Sequence, residues 1–205
     1  MTMAPLVLQP FHRTGFTDSF SLEATVERRG DLLAIDYRLQ GPIGQLVLPE
    51  PAAAAARRDE LWRSTCFEAF LGVPGAEGYW EVNLSPAGHW NGYRLRGYRL
   101  DLQPEPGFTS LPCVVACGSD QLELGFAIDL AALVPAGQPI ELALATVLEA
   151  RRQLGSADGP SDGPSDGTEA GDGPEDSGDH HSFWALAHAG READFHRRES
   201  FVVSI

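Results

Sequence analysis

The sequence predicts an all-β fold, namely an antiparallel β-sandwich of the jelly-roll type with about ten or eleven strands. Three observations support this prediction. Apolar and polar residues alternate with a period of two over many short runs. Turns rich in proline and glycine separate most of these runs. Helical segments do not alternate with the runs, which argues against a parallel α/β sheet.

The clearest alternation lies in residues 31–40, which place four apolar side chains on one face of a strand. These side chains are Leu33, Ile35, Tyr37 and Leu39. The preceding run 20–28 also alternates, and Gly30 between the two runs suits a tight hairpin turn. The predicted strands are 6–11, 20–28, 31–40, 45–48, 65–71, 79–84, 90–98, 110–116, 121–128, 140–148, 183–187 and 196–204.

One short helix is predicted near residues 51–60. Pro51 suits the first turn of a helix, and the alanines, arginines and acids that follow it are good helix formers. This helix is too short to change the fold class. It is expected to lie outside the sheets.

The negative charge of the chain is concentrated in one segment. The 205 residues carry a formal net charge of -14, and all 15 basic residues are arginine. Residues 155–179 contain eight acids, and without them 21 acids face 15 bases. Residues 155–181 are rich in Gly, Asp, Pro and Ser, which predicts a disordered loop that interrupts a single domain spanning 1–205. Since no basic stripe is present, nucleic acid is not expected as a partner.

The cysteines and the apolar runs bear on location. An odd number of cysteines, namely Cys66, Cys113 and Cys117, argues against a disulfide framework and favours a reducing compartment. The first ten residues lack the basic start and apolar run of a secretory signal. No stretch reaches the length of about 20 apolar residues that a membrane span needs. These features predict a cytoplasmic protein that does not bind a membrane.

The block from Trp62 to Tyr98 carries the residues with functional chemistry. Alternation in the strand 79–84 places Trp80, Val82 and Leu84 on one face. Tyr79, Glu81 and Asn83 are then on the opposite face. In neighbouring strands Glu68 and Arg94 are expected on that same polar face.

Such a face matches the needs of carbohydrate recognition. Aromatic rings contact the apolar C–H patches of a sugar, and planar polar groups bond its hydroxyls. The alternative is structural, with Glu68 and Glu81 paired to Arg94 or Arg96 simply to hold the sheet. The sequence leaves both hypotheses open.

Several motifs resemble one known family. Residues 62–70 (WRSTCFEAF), 79–86 (YWEVNLSP), 88–93 (GHWNGY), 183–188 and 194–201 are similar to bacterial DOMON-like proteins related to family 9 carbohydrate-binding modules. This resemblance implies a DOMON-like β-sandwich and, for the wider superfamily, a sugar or haem as ligand. Family 9 modules hold sugar between two tryptophans, which implies walls formed by Trp62 and Trp90, with Trp184 more consistent with the core. The predicted ligand-binding residues are Trp62, Glu68, Glu81, Asn83, Trp90, Asn91 and Arg94.

Haem binding is the first alternative function. Cytochrome-like members of the superfamily hold iron between Met and His, but the methionines here are Met1 and Met3 at the amino terminus. Ligation by two histidines would have to use His89, His188 or His196, which are also the weak candidates for a metal. No cofactor is otherwise expected.

Catalysis and protein interaction are the remaining alternatives. Glu68 and Glu81 are of the residue type that a glycoside hydrolase uses as acid and base. The sequence contains no nucleophile elbow, phosphate loop or metalloprotease helix. We therefore predict a non-catalytic domain that binds a small ligand, with a saccharide preferred over haem. A structural or protein-interaction sandwich without a small ligand is the second alternative.

Overall fold

The structure is a computed structural model that describes residues 4–151 and 180–205. These ranges form twelve antiparallel β-strands and five 3-10 turns of three residues each, and they contain no helix of seven or more residues. The all-β prediction is therefore confirmed. The strands are β1 (Leu6–Pro10), β2 (Ser21–Arg29), β3 (Leu32–Gln40), β4 (Cys66–Gly72), β5 (Tyr79–Leu84), β6 (Trp90–Leu95), β7 (Gln103–Pro104), β8 (Cys113–Cys117), β9 (Gln121–Asp129), β10 (Glu141–Glu149), β11 (His181–Ala185) and β12 (Val203–Ser204).

The strands form one continuous sheet that turns back on itself. Its order is β7-β6-β5-β4-β10-β11-β1-β2-β3-β9-β8, and β12 pairs with β10. Strand β1 joins two halves, because Leu6 to Leu8 pair with β2 whereas Gln9 and Pro10 pair with β11. We call the half with β2, β3, β8 and β9 the β3 layer, and the half with β4 to β7 and β10 to β12 the β4 layer.

The main core lies between these two layers. The ring of Tyr37 on β3 packs 5.3 Å from the ring of Phe67 on β4. The Tyr37 hydroxyl donates a hydrogen bond of 2.7 Å to the backbone oxygen of Glu68. The four residues that alternation placed on one face of β3 are all fully buried here, so the predicted inward face is confirmed. Burial of these apolar side chains is the main source of stability of such a sandwich.

The predicted helix at 51–60 is wrong. This segment runs in an extended path beside β6, where Arg58 N–H donates to the Trp90 oxygen and Trp90 N–H donates to the Ala56 oxygen. The Arg57 side chain lies over the Trp90 ring at 4.6 Å and donates to Asn91 Oδ1 at 3.0 Å. These tertiary bonds outweigh a local helix propensity of a few tenths of a kcal/mol per residue.

Several predicted strand boundaries also change. In the predicted strand 45–48, Gln45 is the last residue of a 3-10 turn, Ile43–Gln45, and Leu46 makes a single bridge to Ala150. Of the predicted strand 196–204, Arg198–Ser200 is a 3-10 turn, and the strand is limited to Val203–Ser204. The short strand β7 was missed.

The acidic loop predicted at 155–181 lies outside the described residues except at its end. His181 already belongs to β11, where it pairs with Glu149 of β10. In the described part of the chain, no helix has the length and apolar character to cross a membrane.

Candidate functional site

The outer face of the β4 layer carries the polar residues that the sequence singled out. Strand register pairs Glu68 with Asn83 and Phe70 with Glu81. Phe67 and Ala69 point into the core between the layers, so Glu68 points away from it. The alternation predicted for β4 and β5 is confirmed.

Three chain segments cover this outer face. Trp62, on a 3-10 turn, packs edge-on against Tyr93 of β6 with ring centroids 5.9 Å apart. The turn that contains Arg99 lies at one side, and the carboxy-terminal segment places Phe195 and Phe201 against Phe70. These contacts make a second, smaller apolar cluster on the side of the sheet opposite the main core.

A cleft of about 320 Å³ remains between these segments and the sheet. Trp62, Phe183 and Phe195 supply its aromatic walls. Glu68 and Glu81 lie at the cleft, and Leu95 and Val147 add apolar surface. Its volume is at the lower end of the range typical of small-molecule sites.

The two glutamates and Asn83 form a buried polar cluster. Glu68 and Glu81 are each 3% exposed, and Asn83 is fully buried. Asn83 Nδ2 donates to Glu81 Oε1 at 2.7 Å. Within residues 4–151 and 180–205, Glu68 Oε1, Glu81 Oε2 and Asn83 Oδ1 find no hydrogen-bond partner. A buried acceptor without a donor is costly, so these atoms favour a ligand that supplies donors.

The environment favours the neutral form of both carboxyl groups. Burial, followed by the charge of Glu81, raises the pKa of Glu68 well above its ordinary value. Burial also raises the pKa of Glu81, although the hydrogen bond from Asn83 opposes this. Two neighbouring buried carboxylates repel each other, so the pair favours retaining a proton.

His196 lies beside this cluster in a neutral form. Its Nδ1 is 2.8 Å from the Tyr79 hydroxyl, which itself accepts the Arg99 backbone N–H at 3.2 Å. Burial, followed by the charge of Arg99, lowers the pKa of His196 to about 4. With Nδ1 accepting from Tyr79, the proton resides on Nε2, which is 4.0 Å from Glu81 Oε2.

Hydrogen bonds to Asp194 connect the carboxy-terminal segment with the turn that contains Arg99. Asp194 accepts hydrogen bonds from the Tyr98 hydroxyl at 2.5 Å and from Arg99 Nη2 at 3.0 Å. Burial favours a higher pKa for Asp194, but the hydrogen bonds from Tyr98, the His196 backbone and Arg99 outweigh it and lower the pKa. Arg99 has a positive φ of 50°, an uncommon backbone conformation for a residue with a side chain.

The structure brings together part of the predicted site. Trp62, Glu68 and Glu81 line the cleft, and Asn83 bonds to Glu81. Asn91 is buried on the same sheet face, but its amide is already bonded to Asp59 and to the Tyr93 hydroxyl.

Trp90 and Arg94 do not lie at the cleft, which corrects the prediction. Trp90 pairs with Leu84 and packs into the core between the layers, because it falls on the inward face of β6. Arg94 pairs with Trp80 and is therefore on the opposite face from Glu81. The arginine at the cleft is Arg99 instead. No local pattern in the sequence identifies Arg99 and Phe195 as cleft residues, because they lie on two separate segments that fold back over the sheet.

The three candidate haem ligands lie at separate places. His196 is at the cleft, whereas His188 packs on Phe11 and has Nε2 at 2.8 Å from the Gln9 oxygen. His89 is in the turn between β5 and β6. Among the residues that the structure describes, no group of three His, Cys, Asp or Glu side chains is placed to hold a metal. Trp184 belongs to the core, as expected.

Comparison with known proteins gives similarity in structure but not in sequence. No family model matches the chain, and no curated protein matches it. A candidate carbohydrate-binding protein from Bacteroides uniformis has a similar structure, with a TM-score of 0.59 and 12% identity over 95% of this chain and 84% of that one. What the two proteins share is the fold.

Two further solved structures are more distant. Both are a family 9 carbohydrate-binding module from Caldicellulosiruptor kristjanssonii. The complex with cellotriose has a TM-score of 0.42 and 11% identity over 72% of this chain and 65% of that one. The complex with glucose has a TM-score of 0.35 and 11% identity over 62% and 59%.

Proposed function

We propose that this protein binds a small saccharide, without transforming it, in the cleft between Trp62 and Phe195. The carrying observation is the pair of buried carboxyl groups, Glu68 and Glu81, which line a cleft with aromatic walls and each leave one oxygen without a hydrogen-bond partner. Sugar hydroxyls supply hydrogen-bond donors to such oxygens, and the C–H faces of the ring pack on aromatic side chains.

The purely structural hypothesis has less support at this face. It requires ion pairs from Arg94 or Arg96 to the two glutamates. Arg94 lies on the other face of the sheet, and Arg96 pairs with Asp101 at 2.6 Å. The cost of burying Glu68 and Glu81 is therefore not offset by these arginines, which favours a role in ligand binding.

The fold is compatible with this proposal. The Bacteroides uniformis structure bears the name of a candidate carbohydrate-binding protein and covers nearly the whole chain. The DOMON-like assignment itself stays a prediction from the sequence motifs. We also propose that the chain is one domain and that it is cytoplasmic, in line with the free thiols of Cys66, Cys113 and Cys117.

Binding without catalysis is consistent with the state of the carboxyl groups. A glycoside hydrolase needs one ionised carboxylate as nucleophile or base. Here burial raises the pKa of both Glu68 and Glu81. Incubation with aryl glycosides is expected to release no aglycone.

Tryptophan fluorescence tests the proposal directly. Of the four tryptophans, Trp62 lines the cleft, whereas Trp80, Trp90 and Trp184 pack against the core between the layers. Titration with a panel of neutral and amino sugars should change the emission for at least one of them. Replacement Trp62→Ala should abolish that change and weaken binding at least about tenfold in calorimetry, because a ring contact is lost.

The matched control is Trp80→Phe on the opposite face of β5. It removes a tryptophan and its bond to Glu105 but leaves the cleft unaltered. This variant should keep both the affinity and the fluorescence response. Failure of every sugar to bind the folded wild-type protein would refute the proposed function.

A further inference from the structure

We propose that the ligand of the Glu68–Glu81 cleft carries a primary ammonium group, so that the preferred saccharides are amino sugars. This inference rests on the proposed function and specifies its ligand class. It places the ammonium between the free oxygens of the two glutamates and the sugar ring against the aromatic walls.

The first support is the chemistry of the unpartnered atoms. Glu68 Oε1 and Glu81 Oε2 are acceptors on side chains that are 3% exposed, and both side chains line the cleft. An ammonium group has three donors and no lone pair, so it suits a site that offers carboxylate acceptors on two side chains. A hydroxyl has a single proton, so it can donate to only one of the two glutamates when both are ionised.

The second support is charge. Two buried carboxyl groups side by side disfavour double ionisation, and a cation between them removes that penalty. Charge-assisted hydrogen bonds are about twice as strong as neutral ones. Arg99 is the cation already at the cleft, but its Nη2 bonds Asp194 at 3.0 Å on the covering segment. The charge of Arg99 still acts on the pair, since it lowers the pKa values of Glu68 and Glu81 against the effect of burial.

The aromatic walls fit the same ligand. Trp62, Phe183 and Phe195 line the cleft around the carboxyl groups. Aromatic faces attract an ammonium group and also pack on the C–H face of a sugar ring. A bare metal ion is a poorer occupant, because the described residues provide no group of three metal-binding side chains.

The inference predicts proton release on binding. An ammonium requires ionised carboxylates, whose pKa values are raised in the free protein. Affinity for an amino sugar should therefore increase as the pH rises through the raised pKa values of the two glutamates, whereas affinity for a neutral sugar should change little. The other ionisable groups that surround the pair are Cys66, Tyr79, Tyr93, Arg99, Asp194 and His196.

The experiment compares matched sugars by calorimetry on the full chain. The probes are glucosamine, galactosamine and mannosamine, each beside its parent hexose and its neutral N-acetyl derivative. At about pH 7 at least one amine should bind at least about tenfold more tightly than both neutral partners. Glu81→Gln and Glu68→Gln should each weaken binding of the amine by a larger factor than binding of its two neutral partners, and so remove most of that preference.

The matched control is Glu123→Gln on the β3 layer, which should leave the preference unchanged. Thermal unfolding verifies that each variant is folded, and the two separate glutamine variants guard against a fold defect in one of them. If the neutral hexoses bind as tightly as the amines, the ammonium inference is wrong and the saccharide proposal stands. If no sugar of either kind binds, the proposed function itself fails.

Discussion

Asn83 donates a hydrogen bond of 2.7 Å from Nδ2 to Oε1 of Glu81, two residues earlier on the same strand and on the same face. This bond favours the ionised form of a carboxyl group whose pKa is raised by burial. It also occupies Oε1 of Glu81, so Oε2 is the oxygen that is left without a hydrogen-bond partner. Asn83 therefore acts on the candidate site through Glu81 and does not line the cleft itself.

Replacement Asn83→Asp removes this donor and adds a third buried carboxyl group with almost no change in shape. We expect a loss of about 3 kcal/mol in the free energy of unfolding at neutral pH, since an unpaired buried charge is introduced. The loss should shrink near pH 4, where the new carboxyl group is protonated. Urea unfolding at both pH values measures this. Gln103→Glu on exposed β7 adds the same charge and should cost less than about 0.5 kcal/mol.

Replacement Glu68→Gln should change how stability depends on pH. The folded state holds the Glu68 proton more tightly than the unfolded chain, because burial raises the pKa from 4.5. The contribution of Glu68 is thus fully present below pH 4.5 and is lost as the pH rises through the raised value. The variant should therefore gain stability relative to wild type with increasing pH. A constant difference in urea midpoint from pH 4 to pH 8 would contradict this.

His196 should show the opposite dependence. Its pKa is lowered from 6.5 to about 4, so the folded state disfavours the charged imidazole. Stability is lost as the pH falls between these values, by on the order of 3 kcal/mol once His196 is protonated. His196→Gln, which retains an acceptor for Tyr79, should remove this loss. An NMR titration of the imidazole C–H signals should give a midpoint near 4.

The contact between the layers should be sensitive to one hydroxyl group. Tyr37→Phe removes the hydrogen bond of 2.7 Å from the Tyr37 hydroxyl to the backbone oxygen of Glu68. That buried oxygen then lacks this donor. We expect a loss of about 1 to 2 kcal/mol in the free energy of unfolding. The control Tyr98→Phe removes an exposed hydroxyl bonded to Asp194 and should cost about 0.5 kcal/mol. Equal losses for both would argue against a special role for the buried bond.

A close approach in β6 gives a steric prediction. A Cβ atom on Gly92 would lie 2.2 Å from the Phe108 ring. Gly92→Ala must therefore displace the segment 105–108, whose backbone oxygens at Glu105 and Phe108 accept hydrogen bonds from Arg57. A loss of about 2 kcal/mol or more in the free energy of unfolding is expected from this overpacking. Gly44 has no atom within 4 Å of such a Cβ, and Gly44→Ala should be nearly neutral or slightly stabilising. Denaturant midpoints of the two variants provide the comparison.

The strands and their faces could be predicted because alternation is local. Phe67 and Glu68 lie on opposite faces whatever the neighbouring strands are. The position of Arg94 could not be obtained in this way, since it depends on the register between β5 and β6 that the intervening turn sets. The helix at 51–60 failed for a related reason, because the bonds of Arg57 to Asn91 and Gly92 are formed across the fold.

Only the cleft residues that belong to the sheet could be predicted from the sequence. Glu68 and Glu81 are on strands, whereas Arg99, Phe195 and His196 reach the cleft from segments that cross over the sheet. The hydrogen bond between Arg99 and Asp194 is made from a left-handed backbone conformation at Arg99, which the residue type does not indicate. Long-range packing of this kind leaves no periodic pattern in the sequence.

The dual pairing of β1 has a kinetic consequence. The two layers are joined where Gln9 pairs with Ala185, so the seam connects residues that are far apart in the sequence. During synthesis, β1 and β10 each keep one edge unpaired until β11 has been made. A sheet dominated by such distant pairings closes on a scale of about milliseconds to seconds. Carboxy-terminal truncation before β11 should therefore release a chain that aggregates during folding.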